Sequence, residues 1–395
     1  MTRPRVSCEG AGRISIAMAI VALAQAATGC TRSNAVQGDP ADASVTFQSA
    51  LATPATWQNL WGSWPFPRYY HSMVYDADRK VMVLFGGQAG TNGPYYDDTW
   101  EWDGARGGWN EKTPAPNGTM TSTSSPPPRT QQMMVYDTVQ KKAFMFSGWQ
   151  PQATIYAPDM WEWDGTTWKE RLIAGAQPNP RYSGTLVWDS DRNRAVLFGG
   201  FCQSSSGTAA RCNDVWEWDG TGTGTWTNRT PAAGAMQPSP RMYHHAAYDA
   251  GRKKMVVFGG YTGTGAATTG TWVDETWEWD GSGAGAGVWT KVTPAAGNSI
   301  AYYSSDIQLV YDAGRGVVVA YYYIGQMWEY DPVTPKWNPI TTTKASTSDP
   351  DTPPYSYGQL VYDPLRAQIV VFSGYSGSTR DLWELDGTTK TWVNR

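Results

Sequence analysis

Trp100-Glu101-Trp102-Asp103-Gly104 sets two indoles, two carboxylates and a glycine in five residues. The same five letters return from Trp161, Trp216 and Trp277, and near-copies starting at Trp328 (WEYDP) and Trp383 (WELDG) complete a series of six. An active site needs its acid once, whereas a group present in every copy serves a need that every copy shares. The repetition therefore argues against catalytic or metal-binding carboxylates. Asp-Gly is turn chemistry, and along a strand the two indoles face one way while the glutamate faces the other. Glu101, Glu162, Glu217, Glu278, Glu329 and Glu384 are expected to tie adjacent repeats together, because a carboxylate between packed sheets must be hydrogen-bonded or paired.

The copies share more than this element. Aligned on Tyr75-Asp76, Tyr136-Asp137, Trp188-Asp189, Tyr248-Asp249, Tyr311-Asp312 and Tyr362-Asp363, each carries an aromatic nine residues after the aspartate: Phe85, Phe146, Phe198, Phe258, Tyr321 and Phe372. Two small residues follow in five copies, then a loop of variable length, the Trp-Glu element, and a spaced tryptophan: Trp109, Trp168, Trp226, Trp289, Trp337 and Trp392. Each unit reads as four short strands, rich in aromatic and β-branched residues and bounded by Asp, Gly and Pro. With 42 glycines, 26 prolines, 22 tryptophans and 22 tyrosines, the composition agrees with many strands and turns.

A Pro-Arg entry, a strand ending in aspartate, a strand ending in Gly-Gly, an acidic then aromatic strand and a spaced tryptophan resemble the kelch repeat, the blade unit of a β-propeller, over about residues 66 to 395. The resemblance implies an all-β fold, a six-bladed β-propeller of four-stranded antiparallel kelch-type blades. A lone blade cannot bury both faces, but in a ring each is covered by its neighbours. Residues 55 to 59, Ala-Thr-Trp-Gln-Asn, look like a further outer strand competing with Thr391-Trp392-Val393-Asn394 for the closing blade. Trp392 is expected in place, with residues 55–65 beside or over it.

The N-terminal thirty residues differ in kind. Arg3, Arg5 and Arg13 precede an apolar run from Ile14 to Ala26, closed by Ala27-Thr28-Gly29-Cys30. This is the pattern of a secretory signal, and its end resembles a bacterial lipobox with Cys30 as the lipidated residue; ordinary cleavage after Ala24 or Ala26 is the alternative. The expected organisation is a signal peptide over 1–29, a lipidated tether over 30–54 and the propeller over 55–395. That places the chain at the outer membrane or cell surface, alternatively in the periplasm or secreted, with membrane attachment only through the N-terminal lipid. Removing Arg3, Arg5, Arg13 and Glu9 from 31 basic and 35 acidic residues leaves 28 against 34. Such a balance offers phosphates no positive field, so nucleic acid is not an expected partner. With Cys8 removed and Cys30 modified, Cys202 and Cys212 remain in one loop of an oxidising compartment, and a disulfide is expected between them.

Arg68, Arg129, Arg181 and Arg241 each follow a proline at the start of an inner strand. They either hold loop carbonyls or aim a donor fork at a ligand on the axis. Among kelch-like propellers, galactose oxidase needs histidines, tyrosines and a cross-linked cysteine for its copper; this chain has only His71, His244 and His245 and no spare cysteine, so neither metal nor cofactor is expected.

Departures from the repeat direct attention elsewhere. Variable lengths fall on the loops between second and third strands, all on one face, where recognition usually lives. Tyr302, Tyr303, Tyr322 and Tyr323 in the fifth copy and Tyr355 and Tyr357 in the sixth suggest an aromatic notch. The expected function is a non-enzymatic, monomeric cell-envelope protein that binds a protein or glycan through the variable-loop face. One alternative is a sugar-modifying enzyme resembling kelch-type sialic acid mutarotases, with an arginine and a carboxylate at the channel mouth. The other is a purely architectural surface protein.

Overall fold

The computed structural model describes residues 64–90, 93–113, 125–151, 155–263, 269–292, 300, 307–322, 326–345, 358–372 and 381–395. The expected signal peptide, Cys30, the tether and residues 55–63 lie outside them.

In the first sheet, strands Ser72–Asp76, Val81–Phe85, Thr99–Asp103 and Gly108–Thr113 pair antiparallel in sequence order. The described residues form five more sheets with this core of four strands, the first strands being Met133–Asp137, Thr185–Asp189, His245–Asp249, Gln308–Asp312 and Gln359–Asp363. Each first strand packs on the next, and the last packs on the first, so the sheets close into a ring about a central axis. The protein is a kelch-type β-propeller.

Period-two alternation builds the core. In Val81–Phe85, Val83 and Phe85 pack against Met134, Tyr136 and Trp161 of the second sheet, while Met82 and Leu84 pack against Val361, Val370 and Phe372 of the sixth. Six such clusters fill the six junctions between neighbouring sheets.

The two invariant aromatic positions meet at these junctions. Phe85 packs on Trp168, Phe146 on Trp226, Phe198 on Trp289, Phe258 on Trp337 and Tyr321 on Trp392, always from one sheet to the next. Phe372 of the sixth sheet completes the cycle on Trp109 of the first, ring centres 4.8 Å apart. A fixed offset in sequence is thus a fixed contact between sheets.

Trp392 stands in the outer strand Thr391–Asn394, as expected. The space beside that strand is taken by Thr343–Lys344, which pairs with it in parallel. Trp64, the first described residue, lies against Trp102 of the first sheet, 6.0 Å between rings, and not against Trp392. The expectation for the end of segment 55–65 is corrected accordingly: the first sheet offers an indole face, and the outer edge of the sixth is already hydrogen-bonded.

The repeated carboxylates work as turn and strand fasteners. Asp103 accepts the amides of Ala105 and Arg106, and Asp164 those of Thr166 and Thr167, closing the third-to-fourth turns. All six glutamates pair with a cation of their own sheet: Arg79, Lys142, Arg192, Arg252, Arg315 and Arg366. Among the described residues, three also meet the following sheet: Glu101 accepts from Trp163, Glu278 from Tyr330 and Glu329 from Lys390. The expected tie between repeats is therefore secondary. In five sheets an arginine anchored by the aspartate of the first-to-second turn, as Arg79 is by Asp76, reaches the carboxylate from within its own sheet, and in the second sheet Lys142 does so.

Candidate functional site

The Pro-Arg arginines belong to the scaffold of the variable-loop face. Arg68 grips Asp98, Arg129 Asp159, Arg181 Asp214 and Arg241 Glu275, with closest separations of 2.5 to 2.7 Å. The same acids accept the indole N–H of Trp100, Trp161, Trp216 and Trp277. Each Nη1 also donates to the carbonyl of the first small residue after the second strand: Gly86, Ser147, Gly199 and Gly259. All four side chains are 0 % exposed, so a ligand on the axis would have to displace an acid to meet one. The acid two residues before the Trp-Glu element was visible in the sequence in these four copies. Its partner became evident only when the fold brought positions some 30 residues apart together.

With that anchor set, the loop after the second strand folds back as a second storey. Tyr69, Gln88 and Tyr95 bridge one another in the first sheet, and Thr130, Trp149 and Tyr156 do so in the second. Tyr182, Phe201 and Arg211 form the third set, and Met242, Tyr261 and Trp272 the fourth. Gly87 makes the reversal possible: its φ is +94°, and a Cβ there would lie 2.9 Å from the Tyr69 carbonyl oxygen.

These sets raise an arc of aromatic side chains. Tyr156 and Tyr182 stack at 5.4 Å with 20° between planes, and Trp149 stands across Tyr156 at 5.5 Å and 76°. Phe201 backs Tyr182 at 5.6 Å, and the Arg211 guanidinium lies 4.7 Å from the Tyr261 ring centre. A cup of about 300 Å³ opens among Gln88, Tyr95, Thr130, Gln131, Trp149, Tyr156, Tyr182 and Tyr243. Burial pushes the Tyr156 and Tyr182 hydroxyls above the ordinary phenol range, which keeps both protonated donors at neutral pH.

Gln131 and Tyr243 are shared with a second, axial cavity of about 140 Å³. At its lip, Tyr70, Gln131, Ser183 and Tyr243 hold φ between +53° and +58°. Such angles are uncommon for non-glycine residues and are held here by a hydrogen-bond chain, Gln131 to the Tyr70 carbonyl, Ser183 to that of Gln131 and Tyr243 to that of Ser183. Below the lip lie His71 and His244. Burial, helped by Arg68, drives His71 down to about 3; burial, then Arg241 and His245, lowers His244. His244 Nε2 sits 3.1 Å from the Phe198 carbonyl oxygen, whereas neither ring nitrogen of His71 has a hydrogen-bond partner among the described residues.

Cys202 and Cys212 form the disulfide expected between them. They lie not in a loop but on the paired extensions of strands Arg194–Gln203 and Ala209–Asp219, directly after the arc residues Phe201 and Arg211. Both sulfurs are bonded to each other, so their grouping with Asp214 is no metal site.

Of the six tyrosines expected to form a notch, Tyr302, Tyr303, Tyr323, Tyr355 and Tyr357 lie outside the described residues. Tyr322 is half-buried against the junction of the fourth and fifth sheets, 6.4 Å from Trp328. Sequence reasoning missed the arc because its residues differ from sheet to sheet; the position one after Arg or one after the small pair, shared by two members of each set, was the available signal.

The family model for the Attractin/LZTR1 beta-propeller matches residues 43–269, and the chain belongs to that family. It is 27% identical over 208 residues to host cell factor 2 of Homo sapiens and 28% identical over 211 residues to host cell factor 1 of Rattus norvegicus, each match taking 48% of this chain. A shorter match, 33% identical over 98 residues and 25% of this chain, is to dynein regulatory complex subunit 7 of Chlamydomonas reinhardtii. These matches span 24%, 9% and 8% of the respective relatives.

Proposed function

We propose that this propeller is a non-enzymatic binding module of the cell envelope, taking a protein or glycan ligand in the aromatic cup of its variable-loop face. The cup itself carries the reading: four sheets contribute side chains to one hollow of about 300 Å³ on the face with the variable loops. Amphipathic rings with polar tips give contact area and hydrogen bonds at low entropic cost. The signal-like pattern of residues 1–29 and the lipobox-like position of Cys30 support placement at the envelope. The mutarotase reading has less support, since among the described residues neither cavity is lined by an arginine or a carboxylate.

The test compares the full chain with a Trp149→Ala/Tyr182→Ala double variant for binding to isolated envelope from the producing cells. A drop of tenfold or more in affinity, at unchanged circular dichroism, is expected. Equal binding by a folded double variant would remove the cup from the reading.

A further inference from the structure

Charge narrows the ligand. Among the described residues, the cup is lined only by tyrosine, tryptophan, glutamine and threonine, and the axial cavity beneath it adds histidine as its one ionisable type besides tyrosine. His71 and His244 are held neutral, and Tyr156 and Tyr182 stay protonated. Arg68, Arg129, Arg181 and Arg241 are enclosed with their acids, and Arg211, outside the lining, lies over the Tyr261 ring and donates to the Gly263 carbonyl. An ionic group entering the cup would lose water without meeting a counter-charge among the residues that line it, which is strongly unfavourable.

Backbone readout is closed as well. The amides of Gln88, Thr130, Gln131, Trp149 and Tyr243 all donate to carbonyls of neighbouring loop residues. A peptide added as a strand depends on such groups, and they are already used. Recognition falls to side chains: aromatic faces interleaved with phenol and amide tips, converging from four sheets on a rounded space. A proline-rich strand wants an open-ended groove. A compact ligand with apolar ring faces and many hydroxyls suits a rounded cup.

We infer that the cup binds an uncharged sugar residue, as a free oligosaccharide or the end of a neutral glycan, stacked on the Trp149–Tyr156–Tyr182 group with hydroxyls reached by Gln131, Tyr243 and Gln88. This rests on the cup being the binding site.

The experiment titrates the full chain with maltoheptaose, cellohexaose and β-1,4-mannohexaose by calorimetry, with oligogalacturonate and a proline decapeptide in parallel. Saturable binding of at least one neutral oligosaccharide is expected, with none of the charged one. Trp149→Ala should weaken it at least tenfold, and Tyr182→Phe and Tyr243→Phe, which remove only a hydroxyl, about threefold or more. Those milder variants keep the test informative if the alanine variant does not fold. Binding of none of the neutral sugars, or of oligogalacturonate alone, overturns the inference. Proline-peptide binding lost in Trp149→Ala overturns it while leaving the cup as the site. Neutral-sugar binding unchanged in all three variants overturns both.

Discussion

Phe372→Ala tests closure of the ring at its seam. Phe372 is 0 % exposed and packs on Trp109 of the first sheet at 4.8 Å and 61° and on His71 at 5.8 Å and 67°. Removing a buried phenylalanine costs about 3–5 kcal/mol, of which the edge-on ring contact accounts for about 0.5–1.5 kcal/mol. For a chain of this size about 2 °C of melting temperature corresponds to each kcal/mol, so a fall of about 6–10 °C is expected. Phe146→Ala is the matched control, because Phe146 is equally enclosed and meets Trp226 at 5.2 Å at an interior junction. Both variants are melted at one scan rate, following tryptophan fluorescence. A closed ring makes the two losses similar. If Phe372→Ala melts within about 2 °C of the parent while Phe146→Ala shows the full fall, the contact between the first and sixth sheets does not hold the ring, and the cyclic argument fails.

Two further predictions concern the axis and the arc. His71 drops from an ordinary 6.5 to about 3 in the folded protein, so only the unfolded chain takes up its proton between those values. Its contribution to stability is complete above pH 6.5 and is lost as pH falls toward 3, by about 1.4 kcal/mol per pH unit. His71→Gln copies the equivalent Gln132, which donates to the Phe85 carbonyl at 2.8 Å, and should flatten that slope. Urea midpoints at neutral and mildly acid pH check this, and an unchanged slope would contradict it. Reducing the Cys202–Cys212 disulfide should speed amide exchange in Phe201–Arg211 and leave Thr185–Asp189 protected, since the inner strand keeps its own ladder. Equal acceleration in both segments would show that the crosslink holds the whole sheet.

The seam and the arc differ in how far they could be read from sequence. Phe372 and Trp109 each occupy a position present in six copies, so their importance was legible, but not that each aromatic meets the tryptophan of the next copy. Arg68 and Asp98 lie 30 residues apart, and only the four-stranded pairing brings the guanidinium under the acid that also holds Trp100. The arc was the least legible, because Gln88, Trp149, Phe201 and Tyr261 occupy one structural position with different side chains.

Repetition by itself determined the unit, its strand order and the turn role of Asp103 and its equivalents, while the count of cysteines pointed to the pairing of Cys202 with Cys212. Those features are local, and strand alternation and turn chemistry are written in short stretches of chain. Tertiary structure decided what lies at a junction: which ring Phe372 meets, why the arginines face acids instead of the axis, and why a parallel Thr343–Lys344 strand covers the outer edge of the sixth sheet. It also gathered Trp149, Tyr156, Tyr182 and Tyr243 into one cup. A side chain's partner across a sheet boundary depends on how whole sheets pack, and no spacing within a repeat records that.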